Sequence, residues 1–211
     1  MFITFEGPEG SGKSTQIKLL TTYLQNKGWS VITTREPGGT PIGDQIRACL
    51  HDVNNTAMTP SAELLLYSAS RAQLVGELIR PALAQGQIVL CDRYADSTLA
   101  YQGYGRGLDL ASLHQITHFA TGGLQPDLTL LLDLDVEAGL ARRQSGGEEM
   151  NRLDREAVAF HQRVHRGYFQ LVKTAPHRWV VIDADRPIEA VQTEIRELVR
   201  GRIRQARFCE G

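Results

Sequence analysis

The sequence predicts an α/β fold, with a mostly parallel, doubly wound sheet of five strands flanked by helices. Three observations predict it. Five short runs are almost continuously apolar, as strands buried on both faces must be. Stretches of helical period lie between them, and this alternation is the pattern of βαβ units. Glycine and proline stand at the junctions where helices stop and start.

Each element follows in order. Phe2–Phe5 is the first strand and runs into a glycine-rich loop. Ser14–Lys27 follows as a helix that Gly28 ends, and Trp29–Thr33 is the second strand. Ile42–Leu50 and Ser61–Gln85 are helical, the latter closed by Gly86, and Ile88–Cys91 is the third strand. Helix Leu110–Thr121 leads to strand Leu128–Leu132, and helices Val136–Arg143 and Asp154–Thr174 lead to strand Trp179–Ile182. Pro187–Arg204 is the last helix, with Pro187 in its first turn. Residues 1–204 therefore read as one domain with a lid at about 142–153, and 205–211 as a tail.

Composition bounds the function. With 211 residues, 42% apolar and 22% charged, the chain suits a single globular core. A net charge of −1 argues against whole-surface binding to nucleic acid or anionic membrane. No stretch approaches the roughly 20 apolar residues of a membrane span. Cys49, Cys91 and Cys209 have neither a disulfide nor a zinc spacing, so a reducing cytoplasm is the expected compartment. Arginine outnumbers lysine 19 to 4, which is either base composition or a use for guanidinium forks.

Ligands of such a sheet sit at the carboxyl ends of its strands. At the first end, Gly7-Pro8-Glu9-Gly10-Ser11-Gly12-Lys13-Ser14 fits G-x-x-x-x-G-K-[ST] between a strand and a helix. Its backbone N–H groups and the helix N-terminus favour a phosphate. Lys13 is expected at the β and γ phosphates and the Ser14 hydroxyl on Mg²⁺, so the ligand is a nucleoside triphosphate, ATP first. The glycines do not fit a dinucleotide loop. Glu9 is an unusual acid beside phosphates. It is either a solvent-facing filler or a contact to a neighbouring substrate's hydroxyl or to a water on the metal.

The other strand ends offer a second anion site. Arg35-Glu36-Pro37-Gly38-Gly39-Thr40 puts an arginine before a tight turn, one compatible with a cis Pro37. Asp92 ends the third apolar run as a metal-shell acid, and Arg93 beside it can hold a second phosphate. Tyr67 is one helical turn before Arg71, so a base can stack on one while the other reads its edge. Taken singly, each arginine is equally readable as a structural ion pair. Gln102–Gly107 reads as a loop, either a mobile lip or a turn. Arg142, Arg143, Arg152 and Arg155 flank Ser145–Glu149, whose glycine pair suggests a hinged flap. Because the phosphate loop has no cation at its variable positions, such a flap can supply the arginine a transferring phosphoryl group needs. His161 and His165 read as helix surface and Cys91 as core.

On these motifs and their spacing, residues 1–203 resemble the thymidylate kinases, one group of P-loop nucleoside monophosphate kinases. The resemblance implies transfer from MgATP to dTMP on a P-loop three-layer fold, usually in a homodimer. It implies that Gly7–Thr15 (Thr15 included) with Asp185 in the Asp183–Pro187 turn hold ATP. Arg35 and Arg93, near Glu36 and Pro37, would hold the dTMP phosphate. Tyr67 would stack on thymine, Arg71 would bond its edge, and Ser97, Thr98 and Gln102 would lie near it. Glu9 and Tyr101 would flank the sugar, with Tyr101 crowding a 2′-hydroxyl, and Ser14 and Asp92 would place Mg²⁺. A lid supplying the catalytic arginine matches the bacterial arrangement, with Arg152 favoured over Arg142 and Arg143. The alternatives are a kinase for another acceptor and a nucleotide-dependent switch.

Overall fold

A computed structural model describes residues 1–145 and 150–208. The strands are β1 (Phe2–Glu6), β2 (Val31–Arg35), β3 (Ile88–Asp92), β4 (Leu128–Asp133) and β5 (Trp179–Asp183). All pairings are parallel, in the order β2-β3-β1-β4-β5. The expected fold class therefore holds. Every residue of β1 is buried, which is why its run is apolar before Glu6 except at Thr4, whose hydroxyl donates to Thr129 Oγ1 at 3.0 Å. β2 is an edge strand with a partly exposed pattern, so its weak signal was misplaced by two residues. Trp29 instead closes the preceding helix, its N–H donating to Leu24 O at 3.1 Å.

The helices are α1 (Lys13–Asn26), α2 (Pro41–His51), α3 (Pro60–Leu74), α4 (Arg80–Ala84), α5 (Ala95–Thr98), α6 (Leu110–Thr121), α7 (Val136–Ser145), α8 (Val158–Thr174) and α9 (Ile188–Phe208). Thr40 and Thr59 cap α2 and α3 by accepting from Gly43 N and Ala62 N, each with a proline in the first turn. The helix read over Ser61–Gln85 is continuous but widens into a π turn at Val75–Ile79, just before Pro81, which has no N–H to give. Gly28 and Gly86 take positive φ where helices end, as expected.

Two readings need correction. Gln102–Gly107 is no mobile lip: α5 continues into a π-helical turn, Leu99–Gly105, whose residues are almost all buried. Its glycines serve close packing, because a Cβ at Gly103 would meet Leu110 at 2.6 Å and one at Gly105 would meet Phe160 at 2.7 Å. The last helix also passes Arg204, so residues 205–208 belong to α9, and 209–211 lie outside the described residues.

Helices cover both faces of the sheet. On one, Ile17, Leu20 and Leu24 of α1 and Val191, Ile195 and Val199 of α9 pack on Ile3, Phe5 and Leu130. On the other, Phe160, Val164 and Tyr168 of α8 pack with Leu131, Trp179 and Tyr101, while Leu74, Ile79 and Tyr94 close over Phe2 and Val89. This burial leaves the carboxyl ends of β1, β2 and β3 opening together.

Candidate active site

A cavity of ≈ 580 Å³ opens at those strand ends. The loop after β1 turns through Gly7, Gly10 and Gly12 at φ 138°, 70° and 86°, conformations open to glycine. It then enters α1, which puts a helix N-terminus at the cavity. The Lys13 ammonium donates to Gly7 O at 3.1 Å, Pro8 O at 2.8 Å and Ser11 Oγ at 3.2 Å. Burial and the nearby Arg93 charge lower its pKa to about 8. Ser14 Oγ donates to Asp92 Oδ2 at 2.7 Å, bringing the two expected metal ligands together.

Arg93 follows β3 in a left-handed conformation, φ 66°, that is costly for a side-chain-bearing residue. Several bonds hold it there. Its N–H donates to Phe5 O at 2.9 Å. Its guanidinium donates to Glu9 Oε1 at 2.8 Å, to Tyr168 Oη at 3.1 Å and to Ser97 Oγ at 3.5 Å. Glu9 also accepts from Tyr101 Oη at 2.8 Å. Burial alone would raise the Glu9 carboxyl, but the Arg93 and Lys13 charges and the Tyr101 bond outweigh it and bring it down to about 2. Glu9 is therefore no solvent-facing filler. It is an ionised anchor for Arg93.

Arg71 is 1% exposed and its fork is engaged. It donates to Glu36 Oε2 at 2.7 Å, Thr98 Oγ1 at 2.9 Å and Tyr94 O at 3.2 Å. The ion-pair reading holds, and Arg71 also lines the cavity beside Tyr67. Glu36 precedes a cis Pro37. Arg35 is half exposed, 3.5 Å from Asp44, and also lines the cavity.

Of the predicted residues, Glu9, Gly10, Gly12, Lys13, Ser14, Thr15, Arg35, Glu36, Pro37, Tyr67, Arg71, Asp92, Arg93, Ser97, Thr98, Tyr101, Gln102, Arg142 and Arg143 line this one cavity. Arg152, the favoured lid arginine, does not. It pairs with the buried Glu63 and donates to Leu50 O at 3.1 Å. Arg142 and Arg143 do line the cavity, bonded to Asp185 and Asp154. Asp185 itself lies outside the lining, held by Arg142 at 2.6 Å. Arg155 is exposed. The glycine pair read as a hinge, with Glu148 and Glu149, lies outside the described residues.

Several residues escaped the sequence reading. Arg47 and His51, four apart on α2, line the cavity. Burial and the Arg47 charge push the His51 imidazole down to about 4, so it is neutral. Glu6 is fully buried and accepts from Tyr94 N at 2.8 Å, Ser97 Oγ at 2.6 Å and Tyr168 Oη at 2.8 Å. Burial, with the Asp96 charge, raises it to about 7. A lone acid ending an apolar strand just before Gly7 was its signal. His161 corrects the surface reading: it is 4% exposed, edge-on to Phe160. His165 bonds Asp133 at 2.7 Å. Cys91 is core, as read.

Comparisons with known proteins point to one family. A family model described as thymidylate kinase matches residues 5–195. A thymidylate kinase of Roseiflexus sp. (strain RS-1) is 54% identical over 210 residues, spanning 94% of this chain and 93% of that one. One from Herpetosiphon aurantiacus is 53% identical over 208 residues, spanning 87% and 88%. The crystal structure of thymidylate kinase from Ehrlichia chaffeensis superposes with a TM-score of 0.78 at 34% identity, covering 94% of this chain and 98% of that one.

Proposed function

The chain belongs to the thymidylate kinase family, and on that premise we propose that its cavity transfers the γ-phosphoryl group of ATP directly to the phosphate of dTMP. The observation that carries the reading is the meeting of two cation sets in one cavity, the phosphate loop with Lys13 and the pair Arg35 and Arg93. A second phosphate cage is what a monophosphate acceptor needs and what a nucleoside acceptor or a hydrolytic switch does not.

The chemistry asks little of the protein beyond alignment and charge. The acceptor is a phosphate monoester with a second pKa near 6, so at pH 7 it is mostly ionised and needs no general base. Incoming phosphate oxygens would take the Lys13 ammonium from the Gly7 and Pro8 carbonyls, and their charge would keep it protonated. Arg93, anchored by Glu9 and Tyr168, would bridge acceptor and transferring groups, while Arg142 or Arg143 would close on the donor side. Tyr67 would stack on the base, Arg71, Thr98 and Gln102 would read it, and Tyr101 would crowd a 2′-hydroxyl. The Ser14 hydroxyl and Asp92 carboxylate, 2.7 Å apart, are hard oxygen donors that suit Mg²⁺ shared with phosphates. That ion would neutralise charge on the β and γ phosphates.

A homodimer is part of the proposal, as is a cytoplasmic location; no helix among the described residues is long and apolar enough to cross a membrane. The test is ADP release with ATP plus dTMP, dUMP, UMP, CMP, AMP, GMP or thymidine in turn. Stimulation greatest with dTMP is expected, and none above the ATP-only background would sink the reading.

A further inference from the structure

We propose that Glu63 sets the donor and acceptor polarity of the base subsite, by forcing the Gln102 amide to turn its carbonyl oxygen toward the acceptor base. Glu63 lies on α3 and is 1% exposed. Its Oε1 accepts from Gln102 Nε2 at 2.8 Å and from Arg106 Nε at 3.2 Å. Its Oε2 accepts from Arg106 at 3.1 Å and from Arg152. Burial raises this carboxyl, but the bonds from Arg106, Gln102 and Arg152 outweigh it and lower the pKa below the usual carboxylate value. An ionised carboxylate only accepts, so the Gln102 NH₂ group must face it. The flipped amide would set two acceptors against each other in a buried place and lose a charge-assisted bond.

The other end of the amide follows. Gln102 lines the cavity, and among the described residues no bond is found to its Oε1. The cavity thus meets a fixed acceptor, with the donor Arg71 also in the wall. A pyrimidine with a 4-oxo group and an N3–H complements that pair. Cytosine, with an N3 acceptor and a 4-amino donor, opposes it at both places. Glu63 touches no substrate in this scheme. It is a positioning residue, on the same helical face as Tyr67 and Arg71 at spacings of four.

The inference rests on the dTMP kinase reading, and the test separates the two. In Glu63→Gln, Arg106 and Arg152 can hold the new carbonyl, which leaves an NH₂ group facing Gln102 and favours the flipped amide. With dUMP and dCMP, which differ only at the edge concerned, the kcat/KM preference for dUMP should fall by at least about tenfold. KM for dTMP should rise while kcat at saturating dTMP changes little. Glu63→Asp, still acceptor-only, should keep the preference. An unchanged preference in Glu63→Gln, or equal loss in both variants, would overturn the proposal. Comparable kcat/KM for dUMP and dCMP in the unaltered enzyme would overturn it even if neither variant folds. Absence of any transfer to dTMP in the unaltered enzyme would instead remove the reading on which it stands.

Discussion

Lys13 is a buried cation and Arg93 a partly buried one, and both already have protein partners. That makes them preorganised rather than idle, because groups fixed before binding need little rearrangement when charge develops. Lys13→Ala and Arg93→Ala are each expected to lower kcat/KM by at least about a hundredfold, the scale of one lost charge-stabilising donor. Steady-state kinetics check this, and a near-normal rate for Lys13→Ala would remove that residue from its role. The two acids behind them titrate in opposite senses. Glu6 keeps its proton to about pH 7, above its unfolded value of 4.5, so the unfolded state releases it first and stability falls as pH rises between those values. Glu9 is depressed to about 2, so its contribution is complete above 4.5 and is lost as pH falls toward 2. Thermal unfolding of Glu6→Gln should therefore show a flatter decline of Tm from pH 5 to 8 than the parent, and an equally steep decline would contradict this. The phosphate loop, Arg35, Tyr67, Arg71, Asp92 and Arg93 were legible because each stands at a strand end or on a helical face with a chemical motive. Tyr168 and His51 were not. Tyr168 comes from a helix more than 70 residues from its partners Arg93 and Ser97, and no local pattern announces such a contact.

At the scale of elements, the contact of α7 with the phosphate loop is backbone on backbone. A Cβ on Gly10 would stand 2.1 Å from Gly139 O, and one on Gly139 would stand 2.3 Å from Glu9 O. Gly139 was read only as part of an unremarkable helix, since its reason lies across space. Gly139→Ala should push the loop from its position, raise KM for ATP by about tenfold or more and lower Tm by several degrees. An alanine variant with the parent's ATP dependence would show that the contact is slack. The π turn at Leu99–Gly105 explains the other missed element. Gly103 and Gly105 look like breakers in the sequence, whereas here they let Leu110 and Phe160 pack close against a widened π-helical segment carrying Tyr101 and Gln102.

At the scale of the whole molecule, near-neutral charge hides a strongly uneven distribution. Arginines 35, 47, 71, 93, 142 and 143 all line one cavity, so six of the 19 arginines gather at the proposed site. Outside it, Phe119 of α6 is 88% exposed and Leu65 of α3 is 57% exposed. A large apolar side chain so open to water suits a subunit contact. The proposed homodimer is expected to bury Phe119, so Phe119→Glu should give a monomer by light scattering where the parent gives a dimer, and two dimers would place the interface elsewhere.

The junction at Gly139 also acts as a measuring stick. Arg142 and Arg143 lie three and four residues beyond it on the same helix, α7. That is roughly 4.5 to 6 Å of rise, a little under or just over one turn. The distance from loop to guanidinium is therefore metered by helix geometry, from an origin that cannot slide. Adding one residue between the two would lengthen the arm by only about 1.5 Å but swing both arginines by about 100°. The angular phase at which α7 leaves Gly139 is therefore a stricter tolerance for Arg142 and Arg143 than their distance along the helix.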